Sequence, residues 1–297
     1  MTIVAATDDG IHDLTTGDVT LAGRDVECVT RRRDGRRFAL VDDGRVVLRS
    51  DASGEWREHA HAEGDAVRVL HATDDAVLLG TVGAHVWRVD DGGRGERLDA
   101  FDAVPGRDRW KNPASAGRPD VWSFASCDGS VFVSVHVGGL WRSDDGGASW
   151  VNVLEPDVDV HQVAARDGVV AVSAQGGFAT SRDRGETWSW TTDGLHAGYL
   201  QSVALSDGVA YVGASSGPFG DDAAVYRASP FDAPFARCSD GLPERFAPIG
   251  PYRLAADGEH LAVVSWGDPD LYVSGDGGAS WSRSPRAVGG IRSLAVA

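Results

Sequence analysis

Ser143-Asp-Asp145-Gly-Gly147-Ala-Ser149-Trp150, Ser181-Arg-Asp183-Arg-Gly185-Glu-Thr187-Trp188 and Ser274-Gly-Asp276-Gly-Gly278-Ala-Ser280-Trp281 are three copies of one pattern, Ser-x-Asp-x-Gly-x-(Ser/Thr)-Trp. Ser50-Asp-Ala-Ser-Gly54-Glu-Trp56 is a shortened relative. Each copy describes a tight turn. An Asp carboxylate can accept from backbone N–H groups a few residues on, Gly supplies positive φ, and Trp opens the next strand as a large apolar plug.

A second marker recurs between short apolar runs: Asp34-Gly35, Asp74-Asp75, Asp128-Gly129, Asp167-Gly168, Asp207-Gly208 and Asp257-Gly258. Asp-Gly between alternating strands is a strong hairpin signal. Gly129, Gly168 and Gly208 are spaced by 39 and 40 residues. A repeat of about 40 residues holding four strands is the period of a propeller blade. No segment carries a helical period. The expected fold is therefore all-β, a single seven-bladed β-propeller of four-stranded antiparallel blades. Six blades are expected at 25–64, 65–120, 121–157, 158–197, 198–249 and 250–290. The seventh is expected to join 291–297 to 2–23, closing the ring and removing its free edges. Six blades is the alternative if the unit at 121–157 is incomplete.

With Gly139-Leu-Trp-Arg-Ser-Asp-Asp-Gly-Gly-Ala-Ser-Trp150, the three boxes resemble the Asp-box (bacterial neuraminidase repeat) propellers. That group includes sialidases, sortilin-type receptors and photosystem assembly factors. The resemblance implies the fold over most of the chain. The box is specific for a turn rather than for an activity. Sialidases of the group use three arginines, a Tyr–Glu nucleophile pair, an acidic Asp and an Arg-Ile-Pro signature. The tripeptide is missing here and no Tyr–Glu pair matches, so no catalytic residue is carried over.

Composition narrows the classes. The 297 residues hold 44 acids and 28 Lys+Arg, a net charge of −16, with 42% hydrophobic residues and 10 Trp. That is too apolar for a disordered acidic chain. Aspartate supplies 35 of the acids, and Lys111 is the one lysine. An Asp-rich skin without Lys resembles the bias of proteins from salt-loving organisms, where charge keeps proteins dispersed, and suggests a haloarchaeal member. Nucleic-acid binding, which needs a basic face, is disfavoured. The start, Met1-Thr-Ile-Val-Ala-Ala-Thr-Asp8-Asp9, does not read as a signal peptide, and no run spans a bilayer. Cys28, Cys127 and Cys238 are too few and too scattered for a disulfide framework or a cysteine metal site. A cytoplasmic monomer without cofactor or metal is expected.

The boxes join the third and fourth strands on one rim and read as structural turns. The opposite rim is the expected binding face, with His136, His161, Gln175, His196, Tyr199, Trp266, Asp268 and Asp270, and insertions at about 100–120 and 214–223. The first insertion, Pro105-Gly-Arg107-Asp-Arg109-Trp110-Lys111 through Arg118, carries four cations to one acid. With Trp110 read as exposed, it is a candidate grip on an anionic group or acidic partner. The bland alternative is arginines paired with nearby acids. The run Arg31-Arg-Arg-Asp-Gly-Arg-Arg37 is expected to pair with Asp42, Asp43, Asp51 or their neighbours.

Other motifs are weak. Gly213-Ala-Ser215-Ser-Gly217 matches a nucleophile elbow but is followed by no helix. His59, His61 and His71 have no fixed third-ligand geometry. The leading expectation is a non-catalytic binding or assembly module, its partner an unidentified protein or a polar or anionic small molecule. The alternative is a divergent glycoside hydrolase with Asp268 and Asp270 facing Asp120 or Asp159.

Overall fold

Seven four-stranded antiparallel sheets, each running from an inner strand outward, form a closed ring in the computed structural model. It describes residues 2–296 apart from 43, 45, 51–53, 62, 63, 65, 114–116, 268, 269, 286 and 287. Blade 1 is built from both ends of the chain. Ile291–Val296 is its inner strand and pairs with Ile3–Thr7. The inner strands of blades 2 to 7 are Val26–Arg31, Val67–Ala72, Val121–Cys127, Val160–Arg166, Tyr199–Ser206 and Leu254–Asp257. The count is seven, and the ring closes through the C-terminal strand, as the repeat required.

The second strand of each blade explains why blades stack. Its residues are apolar at successive positions, because both faces of the sheet are covered. Phe38 and Leu40 pack toward blade 3, whereas Ala39 and Val41 pack toward blade 1. Val170 and Val172 face blade 4, and Val169 and Ala171 face blade 6. Successive side chains leave a strand on opposite faces, so one strand serves two interfaces, and a one-residue slip would exchange them. The apolar core is therefore not central. It is a ring of seven clusters, one between each pair of neighbouring blades.

The turns behave as their residues dictate. Asp128-Gly129, Asp167-Gly168 and Asp207-Gly208 all have positive φ at both positions, the backbone that matches strand twist in a two-residue hairpin. In the box at 143–150 the amide of Gly147 donates to Ser143 Oγ (2.8 Å) and that of Ser149 to Asp145 Oδ1 (2.8 Å), while Trp150 Nε1 donates to the Gly147 carbonyl (3.1 Å). The boxes at 181–188 and 274–281 repeat this set. Hydrogen bonds from Thr187 and Ser280 pull the carboxyls of Asp183 and Asp276 down to about 2. These acids are satisfied by their own turns. Residues 51–53 of the shortened box lie outside the described residues.

Two helical fragments depart from the all-strand expectation. Asp99–Asp102 is a single α-turn and Arg107–Arg109 a 3-10 turn, both in the insertion before blade 4. They fold around Phe101, which is fully buried.

Candidate functional site

At the start of six of the seven inner strands, the pairing with the neighbouring strand skips one residue. The skipped residues are Glu27, Arg68, Trp122, His161, Gln201 and Arg292. A β-bulge leaves its extra residue out of the ladder and re-aims its side chain. Arg253, just before the inner strand of blade 7, stands at the same end. All seven positions surround the mouth of the central channel, on the rim opposite the boxes.

A cavity of about 430 Å³ occupies one side of that mouth. Glu27, Arg68, Trp122, Arg253 and Arg292 line it, with Trp266, Asn112 and Asp120. Arg292 is held by Asp25, with Nε at 3.2 Å and Nη2 at 3.0 Å from the two carboxylate oxygens. Arg253 lies over the Trp266 ring, 6.0 Å from its centre. Burial, with Arg292 nearby, lowers its guanidinium to about 10. Arg68 is exposed and makes no hydrogen bond or ion pair among the described residues. Asp120 accepts from Asn112 Nδ2 (2.8 Å) through Oδ2, while its buried Oδ1 has no hydrogen-bond partner among the described residues.

Tyr252 closes the floor. Its backbone stands at φ +58°, a left-handed conformation that is costly for a bulky residue. Three inner strands hold it there. Its N–H donates to Gln162 Oε1 (3.2 Å), its carbonyl accepts from Leu294 N (2.6 Å), and its hydroxyl accepts from Phe124 N (3.4 Å). Burial pushes that hydroxyl's acid dissociation well up. Gln162 also accepts from Val203 N (3.3 Å), so one buried amide ties blades 5, 6 and 7 together. Tyr252 thus bridges blades 1, 4 and 5 across the channel, while Asn112 and Asp120 of the 100–120 insertion line the mouth.

Beside the cavity, across the Trp122 ring, three expected residues come together. Trp122 lies 4.0 Å from the His136 ring, and His161 lies 4.7 Å from Tyr199 between ring centres. Asp159 joins them, with Oδ1 3.5 Å from His136 Nε2 and Oδ2 3.3 Å from His161 Nε2. Burial alone would raise the Asp159 carboxyl, but its contact with His161 and the fields of both imidazoles hold it below its usual value. Burial lowers His136, outweighing Asp159. Burial raises the Tyr199 phenol to about 12, with Asp159 adding to it.

The remaining expected residues are dispersed. Gln175 is exposed on a loop whose amide donates to the Asp159 carbonyl (3.2 Å). His196, just before the inner strand of blade 6, is bonded to Tyr226 Oη (2.8 Å) and near Asp222 of the second insertion (3.4 Å). Asp270 is ion-paired with Arg283 in its own blade. Asp268 lies outside the described residues.

Trp110 is corrected from exposed to buried, at 4% exposure. It packs against Phe101 and Trp141, each 5.5 Å away between ring centres, under the Arg107 guanidinium at 4.8 Å. An indole beside a blade face gains more by filling the space under the insertion than by meeting water. Arg107 is turned inward to the Gly83 carbonyl (2.8 Å) and Asp102 (3.1 Å). Arg109, Lys111 and Arg118 remain exposed.

Three arginines of the Arg31–Arg37 run pair within the molecule, with acids other than Asp42. Arg32 and Arg36 meet Asp91, Arg36 also meets Asp34, and Arg33 lies 3.7 Å from Asp74. The reason is positional: the turns of blades 2 and 3 are neighbours on one rim. Asp42 takes Arg24 instead (2.9 Å), and residues 43 and 51 lie outside the described residues. His61 pairs with Glu58 (2.7 Å) and His71 with Ser126 (2.6 Å), so these histidines do not converge. Ser215 Oγ donates to the Gly217 carbonyl (2.9 Å), with no helix following.

The bulge positions went unread in the sequence, although a signal exists. Val-Glu27-Cys-Val, Val-Arg68-Val-Leu, Val-Trp122-Ser-Phe, Val-His161-Gln-Val, Leu-Gln201-Ser-Val and Ile-Arg292-Ser-Leu share one form. It is an apolar residue, a polar or aromatic one, a short side chain or Gln, then another apolar residue.

No family model and no curated protein matches the sequence. Solved structures match it as folds. A GH74 enzyme from Niastella koreensis superposes with a TM-score of 0.63 at 13% identity, over 86% of this chain and 46% of that one. This chain thus spans about half the length of such enzymes. Virginiamycin B lyase from Staphylococcus aureus gives 0.63 at 13% identity, over 89% and 85%. YCF48 bound to D1 peptide gives 0.60 at 12%, over 88% and 82%. At these identities the likeness is one of fold.

Proposed function

We propose that the protein is a non-catalytic binding module whose ligand is a small polar or anionic molecule, or an anionic group of a partner, seated in the channel mouth. The observation that carries this reading is the ring of bulges, which aims Arg68, Arg292 and Trp122 into one cavity together with Arg253 and Trp266. Arginine forks suit carboxylate or phosphate, and the indoles supply an apolar wall. Three cations against two acids, Glu27 and Asp120, line this cavity in a chain of net charge −16. Among propellers of similar length, YCF48 binds a peptide, which makes a partner's terminal or side-chain carboxylate a second source of the same chemistry. Hydrolysis of glycosides needs two carboxylates across a pocket; Glu27 and Asp120 also line the cavity, but Asp120 is engaged by Asn112 and Asp270 by Arg283, so binding is the better reading.

The test is a thermal-shift screen against carboxylates, phosphates and sugar acids, followed by calorimetry on each hit. Arg68→Gln and Arg292→Gln are expected to weaken a true hit about tenfold or more, the worth of one charged hydrogen bond. Asp183→Asn, on the box rim, should leave it unchanged. Hits indifferent to both arginines, or a panel without hits, would overturn the proposal.

A further inference from the structure

His136, Asp159 and His161 offer one ligand atom each, all within 4.8 Å of one another. No other group of this kind occurs among the described residues. His136 follows the second strand of blade 4, Ser130–Val135, while Asp159 and His161 flank Val160 at the start of the inner strand of blade 5, and the whole set sits at the mouth rim behind Trp122.

The hydrogen bonding of His161 sharpens the geometry. Its Nδ1 lies 2.6 Å from the Leu200 carbonyl oxygen, and a carbonyl can only accept, so Nδ1 carries the proton. In the neutral ring Nε2 is then a lone pair aimed inward. The residue is 1% exposed, and Nε2 has no hydrogen-bond partner among the described residues. What it faces is Asp159 Oδ2 at 3.3 Å, out of hydrogen-bonding line. Asp159 Oδ1 is likewise buried without a hydrogen bond, 3.5 Å from His136 Nε2. Lone pairs converging in a buried space repel one another unless a cation lies among them, either a proton on His161 Nε2 or a metal ion; the missing hydrogen bond at Nε2 favours the metal ion. Two ligands bound at about 2.05 Å to a tetrahedral centre sit about 3.3 Å apart. The two Asp–His separations, one from each carboxylate oxygen, have that value within a few tenths of an ångström, and the full set of ligand atoms spans up to 4.8 Å. The Leu200 carbonyl on Nδ1 is the kind of outer contact that orients a metal-binding imidazole.

We propose that His136, Asp159 and His161 form a site for a first-row divalent transition-metal ion of the zinc class, with at least one coordination position left for solvent or a ligand. Two imidazoles with one carboxylate favour such an ion over magnesium or calcium, which take oxygen ligands. The site stands independently of the anion-binding cavity, since it uses none of the arginines.

The test titrates the chelator-treated full chain with Zn²⁺ and Co²⁺ by calorimetry, and with Mg²⁺ in parallel. The site predicts one equivalent of Zn²⁺, a visible Co²⁺ spectrum of low-coordinate type, and no competition from Mg²⁺ at equal concentration. Asp159→Asn and His161→Gln are expected to weaken Zn²⁺ binding about 100-fold or more, whereas the double variant His59→Ala/His61→Ala should bind as the parent does. Melting curves recorded without metal confirm folding of each variant. X-ray absorption of the zinc-loaded parent supplies a readout free of mutation and should show two imidazoles. Binding equally tight in His161→Gln, binding lost only in the His59/His61 variant, a zinc shell without imidazole, or a parent that takes up no zinc would each overturn the assignment.

Discussion

Replacing Trp110 by alanine separates a core role from a surface role for the insertion. The indole is 4% exposed and meets Phe101, Trp141 and the Arg107 guanidinium. A buried Trp removes about 150–250 Å² from water, which at about 25 cal/mol per Å² contributes about 4–6 kcal/mol. Its Nε1 is buried without a partner, and relief of that orphan N–H returns about 1–2 kcal/mol. The net cost is about 3–4 kcal/mol, within the range for deleting a large core aromatic. For a chain of this size that corresponds to a fall in Tm of about 6–15 °C. Denaturant unfolding followed by far-UV circular dichroism measures it. Trp110→Phe, which keeps a ring and removes the orphan, should cost about 1 kcal/mol. An alanine variant within about 0.5 kcal/mol of the parent would refute the packing argument and return Trp110 to the surface.

Two further outcomes follow from the polar interior. Asp102 accepts from His85 (2.7 Å), Arg97 and Arg107, so Asp102→Asn strands a half-buried guanidinium and should cost about 1–3 kcal/mol, less than a fully buried pair. An unchanged urea midpoint would contradict this. Burial lowers His71 to about 4 from an ordinary value near 6.5. Below pH 6.5 the unfolded chain takes up a proton that the fold refuses, so stability present above that pH falls as pH drops toward 4. His71→Gln should flatten this part of the stability profile, and a profile identical to the parent's would remove His71 as its cause.

The fold was legible because its rules are local. Asp167-Gly168 needs only its own two dihedrals to make a hairpin, and Ser181 to Trp188 closes its turn with its own hydrogen bonds. Even ring closure could be read, since Ile291 to Val296 is a strand without an adjacent partner in sequence. The site was less legible because its geometry is cumulative. A bulge at His161 exists only relative to the strand it pairs with, and Tyr252 becomes a bridge only when Gln162, Phe124 and Leu294 surround it. His136 and His161 were picked as rim residues, but Asp159 was considered only as a hydrolytic carboxylate. Their convergence depends on how blades 4 and 5 are stacked. Trp110 was misread for a related reason: cations on both sides suggest solvent, while the cavity beneath the insertion belongs to a strand more than 25 residues away.

The most direct measurement of the binding claim is a two-dimensional ¹H–¹⁵N NMR titration of the ten indole N–H groups with a carboxylate or phosphate found by the screen. With the ligand seated in the channel mouth, the Trp122 and Trp266 signals move together and saturably, while those of the box residues Trp150, Trp188 and Trp281 stay in place. Saturable shifts at the box tryptophans, with Trp122 and Trp266 silent, would put the binding face on the wrong rim.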